Sequence, residues 1–456
     1  MTAERLPTVA LVSLGCPKNL VDSERMLAGL ALAGFAVTDS PDGADVAVVN
    51  TCAFIDLARA ETEEAIEELE ALKRAGRLGR VVVAGCMAQR DGRTLLSRHP
   101  NVDAVAGLAE RDALADVCRA ALARSAKQAP AVRVGPHPAH APDDRERLRL
   151  TPQHYAYLRI TEGCDNRCAY CAIPAIRGPL RSKAPDAVLA EARELVADGA
   201  RELVLVGQDT TAFGRDRGDG WNLARLLARL RGESGAAWIR LMYTHPASFT
   251  DDVIQKLARG LPIVPYVDLP LQHISDAILA SMGRRITRAD VERLLCRLRE
   301  AVPGIALRTT FIVGYPGETE QAFDELAGFV EKVRFDHVGS FLYSPEAGTR
   351  AAAMPGQVPP EVRRERWDRL MRLSERLAHE AARHMVGRRL AVRVDGPAHA
   401  AGYLAARHAG QAPEVDSVVL VPTGTAKQGD EVKVRIVAAK GYDTVGEIAD
   451  DGDPEA

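Results

Sequence analysis

Ten times along this chain a short apolar run is followed by a segment of helical pattern. The runs TVALVSLGC (8–16), DVAVVNTC (45–52), RVVVAGC (80–86) and AVAGL (104–108) come first. AYLRITEG, ELVLVGQD, WIRLMYTH, YVDLPLQH, LRTTFIVGY and HVGSFLYS come later. A strand that is apolar at nearly every position is covered on both faces, which calls for a parallel sheet flanked by helices. The fold class is therefore α/β. Residues 8–123 predict a doubly wound parallel domain. Residues 150–381, with six strand–helix units, predict a partial β/α barrel; an open sheet fits the same alternation. A long helix, PPEVRRERWDRLMRLSERLAHEAARHMVGRR, leads out of it. From 383 to 449 the runs are short, β-rich and broken by Gly, Pro and Asp, as in a small all-β barrel of OB-like size. Residues 124–149, rich in Pro, Ala and charge, read as a linker, and 450–456 as a disordered acidic tail.

The opening MTAERLPTVALVSLGC lacks the long apolar region of a signal peptide. No run has the roughly 18 consecutive apolar residues of a membrane span. These features point to the cytoplasm and away from membranes, so the eight cysteines are expected as metal ligands or thiols rather than disulfides. Cys118 and Cys296 sit among apolar neighbours in helical patterns and are expected as small core residues.

The other six form two sets of three. Cys16, Cys52 and Cys86 each follow a strand at its carboxyl end, where parallel sheets bind ligands. Three thiols so placed can converge on a metal or an iron–sulfur cluster. Cys164, Cys168 and Cys171 are compact, spaced C-x3-C-x2-C, and follow the first barrel strand. A structural zinc site wants four ligands, and no Cys or His nearby supplies a fourth. His154 precedes the strand rather than following it. Three ligands leave an open coordination position, the mark of a catalytic site.

CDNRCAYC on the first strand of a β/α barrel resembles the radical S-adenosylmethionine superfamily. The resemblance implies that the cofactor's amino and carboxylate groups chelate the open iron of a 4Fe–4S cluster and that an electron cleaves it to a 5′-deoxyadenosyl radical. It further implies cofactor contacts from Tyr170 beside the cluster, from Gly207, Gln208 and Asp209 after the second strand, and from Arg308 and Ile312 in LRTTFIVGYPGET. The whole chain from 8 to 449 is similar to the methylthiotransferases, through SLGCPKN, VNTCAFI, VAGCMAQ and a terminal domain like the TRAM module. That likeness implies a second, auxiliary 4Fe–4S cluster on Cys16, Cys52 and Cys86 that presents sulfur. An electron donor and a sulfur donor are then implied partners.

Members of the family modify a transfer-RNA adenosine or an aspartate of ribosomal small-subunit protein S-twelve. From Val386 onward there are eight Lys/Arg against eleven Asp/Glu. An RNA-binding module needs a basic patch, so direct nucleic-acid binding is not expected and a basic protein substrate fits better. GQAPEVDSVVLV and AIPAIRGPLRSK also resemble the aspartate-modifying branch. Pro413, Glu414 and Asp416 are the residues expected to dock that substrate. The alternatives are the transfer-RNA enzyme and a non-enzymatic two-cluster redox protein.

Overall fold

A computed structural model describes residues 5–125 and 127–449; the acidic tail lies outside them. The first domain is a six-stranded sheet of β1 (Thr8–Ser13), β2 (Ala36–Thr38), β3 (Val46–Thr51), β4 (Arg80–Gly85), β5 (Ala104–Ala106) and β6 (Ala131–Arg133). The order is β2-β1-β3-β4-β5-β6 and every pairing is parallel. VAVVNT in β3 is buried throughout, as its unbroken apolar run predicts. One expectation is corrected here. The segment read as a linker supplies β6, and its Asp144 and Arg147 are buried. A three-residue strand has no periodicity to read, and the partners of those two charges lie far away in sequence.

The central domain contains β7 (Tyr155–Arg159), a short ribbon of β8 (Thr161–Glu162) and β9 (Arg181–Ser182), then β10 (Glu202–Val206), β11 (Trp238–Leu241), β12 (Ile263–Asp268), β13 (Ala306–Val313) and β14 (His337–Leu342). Its six-stranded parallel sheet runs β14-β13-β12-β11-β10-β7. The edges β7 and β14 do not pair with each other, so the barrel is partial. Alternate residues enter two cores, as a strand's period of two requires. Leu158, Leu203, Leu205, Leu241 and Phe311 face the helices. Tyr155, Tyr157, Val204, Val206, Trp238 and Tyr266 face the interior. Cys118 is fully buried as expected, but Cys296 is exposed. Its helix, Arg288–Ala301, buries Val291, Leu294, Leu295 and Leu298, and position 296 lies off that stripe.

The last domain is a closed barrel in the order β15-β16-β17-β19-β18. It is built from β15 (Arg389–Pro397), β16 (Tyr403–Arg407), β17 (Val419–Pro422), β18 (Glu431–Lys440) and β19 (Asp443–Ile448) around Val392, Val394, Val419, Val421, Val434 and Ile436. The connection 408–418 enters the amino-terminal mouth of the central barrel. There His337 Nε2 meets Gly410 O at 2.9 Å, and Arg240 donates to Ala409 O at 2.8 Å. Tyr155 and Tyr157 donate their hydroxyls to Glu414 at 2.8 and 2.9 Å. Asp416 accepts from the Tyr266 hydroxyl at 2.8 Å and from Arg308 at 2.6 Å. Pro413 is buried beside them. Pro413, Glu414 and Asp416, the residues expected to dock the substrate, thus pack against the central domain, with both carboxylates engaged within the chain. With the amino ends plugged, the carboxyl ends of the strands remain for chemistry.

Candidate functional site

Strand register assembles the first triad. β1 and β4 flank β3, with Ser13 opposite Asn50 and Thr51 opposite Gly85. Cys52 and Cys86 are each the next residue after that last pair. Cys16 caps the helix Pro17–Leu32 that leaves β1. The chain needs glycine to arrive there. Gly15 and Gly85 have φ of 92° and 90°. A Cβ on Gly15 would lie 2.8 Å from Cys52 Cβ, and one on Gly85 2.2 Å from Asn50 Oδ1. Asn19 ties the loops together by donating to Leu14 O at 2.8 Å and Thr51 O at 2.9 Å.

Burial alone would raise the Cys16 thiol, but Lys18 and Arg177 outweigh it and hold that thiol below its usual value. Burial pushes Cys52 up, with the nearby Cys16 adding to it. Burial pushes Cys86 up to about 12.

The second triad follows β8 on the central domain. Gly163, at φ 75°, leads into Cys164, and a Cβ there would meet Pro179 O at 2.0 Å. The Cys164 amide donates to Gly178 O at 3.1 Å and the Ala169 amide to Met282 O at 2.9 Å, pinning both ends of the loop. Burial raises Cys164 to about 11 and Cys171 to about 12. Within each triad the thiols sense one another's charge. Yet among the described residues no three Cys, His, Asp or Glu side chains close on one point as a single ion needs. Three thiols on neighbouring loops are the donor type that an iron–sulfur cluster takes.

Other expected residues gather around this loop. Asp209, 2% exposed, accepts from Asn166 of the loop at 2.7 Å and from Thr211. Gln208 reaches Glu162 at 3.5 Å, while its Oε1 is buried without a protein partner. Gly207 lets β10 approach β8, since a Cβ would sit 2.2 Å from Thr161 Oγ1. Tyr170 and Ile312 meet in one apolar patch with Ala169, Met282 and Tyr315. Arg308 does not join them. It lies at the third position of β13, and its guanidinium is held by Asp416 at 2.6 Å and Asp268 at 3.7 Å. The carboxylate-binding role expected of it is accordingly not supported.

The geometry adds four residues that motif reading passed over. Arg177, on the helix Ile173–Arg177 after the second triad, donates to Glu162 at 2.9 Å, Asn19 at 2.8 Å and Asp22 at 3.1 Å. Its charge reaches Cys86 and Cys16, so the helix that follows the second triad delivers a side chain to the first. Arg284, 4% exposed, lies beside Tyr170 and Cys168. His245 follows β11; burial, helped by Arg284 and Arg215, pushes it down to about 2, and its Nδ1 has no protein partner. Lys18 is buried two positions after Cys16. His245 stands in TH, which carries no recognisable pattern, and Lys18 stands in SLGCPKN, which marks the cysteine but not the lysine's burial against another domain. The Arg in AIPAIRG was visible, but its reach into another domain was not.

Two cysteine triads, each at the carboxyl ends of parallel strands, match known proteins along the whole chain. Residues 158–330 match the radical SAM superfamily, 8–107 the uncharacterized protein family UPF0004 and 386–449 the TRAM domain. A ribosomal protein uS12 methylthiotransferase RimO from Anaeromyxobacter sp. (strain Fw109-5) is 46% identical, over 96% of this chain and 93% of its own length. The protein of that name from Geobacter sulfurreducens is 42% identical over 96% and 98%. Among solved structures, the radical S-adenosylmethionine methyltransferase TsrM from Kitasatospora setae superposes with TM-score 0.54 at 18% identity, over 76% of this chain and 77% of that one, which supports the fold. On these grounds the chain belongs to the uS12 methylthiotransferase RimO family of radical SAM proteins.

Proposed function

We propose that this chain adds a methylthio group to the β-carbon of an aspartate in ribosomal protein uS12. The observation that carries the reading is that the helix following the second triad sends Arg177 to the first, in a chain 46% identical to a relative of that name. A β C–H has no acidity that a side-chain base could use, so the reaction calls for a hydrogen-abstracting radical and a separate sulfur carrier. When bound, S-adenosylmethionine and two 4Fe–4S clusters supply both.

The chain's own residues hold and shield them. Cys164, Cys168 and Cys171 would ligate the radical-generating cluster, with Tyr170, Ile312 and the 207–209 turn around the cofactor. Cys16, Cys52 and Cys86 would ligate the auxiliary cluster. The buried Arg177 and Arg284 place positive charge beside the anionic thiolates. The connection 408–418 packs into the far mouth of the barrel. An electron donor and a sulfur donor complete the reaction as partners. A ribosomal substrate places the protein in the cytoplasm, and no helix among the described residues is long and apolar enough to cross a membrane.

The decisive experiment offers the anaerobically reconstituted protein S-adenosylmethionine with either uS12 or transfer RNA, followed by mass spectrometry. Methylthio mass on the uS12 aspartate is expected. Its appearance on RNA alone would overturn the reading.

A further inference from the structure

Lys18 is a cation buried at an unfavourable place in the fold. It stands in the first turn of the helix Pro17–Leu32, which has no acidic residue there, so its charge opposes the helix dipole. It is only 8% exposed. Its Nζ lies 3.4 Å from the centroid of the Tyr243 ring, across the domain boundary. Among the described residues no carboxylate oxygen comes within 4.0 Å of Nζ. The nearby acids are already engaged. Asp268 accepts from the Tyr243 amide at 2.9 Å and lies 3.7 Å from Arg308. Asp209 is held by Asn166 and Thr211. Lys18 has for company the Tyr243 ring and the Cys16 thiol two positions away; with no carboxylate beside it, a counter-ion relieves the cost of burying the ammonium.

The surroundings indicate where that counter-ion comes from. Tyr243 is a non-glycine residue at φ 55°, a strained conformation held by Asp268 on its amide and by Thr210, whose amide donates to Tyr243 O at 3.0 Å. Thr210 adjoins Asp209, which is bonded to Asn166 in the second cysteine loop. Lys18 itself is two positions from Cys16. Its ring contact with Tyr243 thus ties the first triad's helix, through Thr210, Asp209 and Asn166, to the second cysteine loop. Tyr170 and Ile312 lie in a separate apolar patch, away from the cluster that contains Tyr243.

We propose that Lys18 receives the side-chain carboxylate of the aspartate to be modified. The proposal rests on the aspartate reading given above. The β-carbon is one bond from that carboxylate, so pairing it with Lys18 holds the reacting carbon beside the auxiliary triad. An asparagine or a nucleobase brings no charge and leaves the ammonium buried and unpaired, so Lys18 is a specificity-determining residue.

The test measures, by fluorescence anisotropy, binding of a uS12 loop peptide carrying either the target Asp or Asn to the reconstituted holoenzyme. The wild type is expected to favour the Asp peptide by about a hundredfold. Lys18→Met should abolish the preference, and Lys18→Arg, which keeps the charge, should retain most of it. A Lys18→Met protein with both clusters loaded that keeps the hundredfold preference overturns the proposal. So does a Lys18→Met protein that weakens S-adenosylmethionine binding with the peptide preference intact, for the carboxylate would then be the cofactor's. A wild type that binds neither peptide sinks the aspartate reading itself, and this proposal with it.

Discussion

Single glycines decide whether the thiols can gather. LGC, AGC and EGC place a glycine before Cys16, Cys86 and Cys164, and all three adopt φ between 75° and 92°. At Gly85 the conformation is φ 90° and ψ −150°, which L-residues avoid, and a Cβ would strike Asn50. Gly85→Ala is expected to lower stability by on the order of 2 kcal/mol and to reduce the iron bound after reconstitution, checked by thermal unfolding and iron analysis. Cys296→Ser offers the contrast. That thiol is exposed and touches only Glu300 on its own helix. The substitution should change stability by less than about 0.5 kcal/mol and leave iron content intact; a large loss by either measure would show that the thiol is engaged elsewhere. The two cysteine triads stand out from spacing and strand-end position alone. Arg177, Arg284 and Lys18 were not, because a buried charge owes its role to neighbours that spacing does not reveal.

Among the elements, the strands were the easiest to read. Their apolar runs are long enough to carry a period, and all six barrel strands lie where those runs stand. The connection 408–418 was harder. APEVD has the composition of a solvated turn, yet it fills the mouth of the barrel. Glu414 is the sharpest test of that plug, because it accepts from two tyrosine hydroxyls at once. Glu414→Ala should destabilise the junction by roughly 2 kcal/mol, leaving both hydroxyls unsatisfied. Limited proteolysis of the barrel–terminal-domain junction would reveal it as faster cleavage. Unchanged cleavage would mean that the plug holds without this residue.

The whole molecule is joined by buried charge. Arg159 pairs with Asp144 at 2.6 Å, Asp22 at 2.8 Å and Glu162 at 2.8 Å, drawing the first domain, the 124–149 segment and the central barrel to one point. At the other end Glu202 lies between Arg240 at 2.6 Å and Arg407 at 2.9 Å. Burial alone would raise Glu202, but the two arginines reverse this and hold it at about 2. A group depressed on folding stabilises the fold above its unfolded pKa, about 4.3 for glutamate. This contribution, on the order of 3 kcal/mol, is therefore present at neutral pH and is lost as pH falls from about 4.3 towards 2. Glu202→Gln should flatten the acid limb of the stability profile over that window while lowering stability at neutral pH. Urea titrations at pH 3 and pH 6 would measure both.

What the sequence determined by itself is whatever depends on local pattern. Unbroken apolar runs specify a parallel sheet, because strands buried on both faces need helices to cover them. Two three-cysteine sets after strands specify at which sheet edge their thiols stand, because in parallel sheets the carboxyl ends form one edge. What only the tertiary structure decided is how the domains face each other. Charges separated by more than a hundred residues, such as Arg177 with Asp22 and Arg308 with Asp416, meet only after three domains have packed. Their contribution depends on burial and distance, and neither is a property of the chain until it has folded.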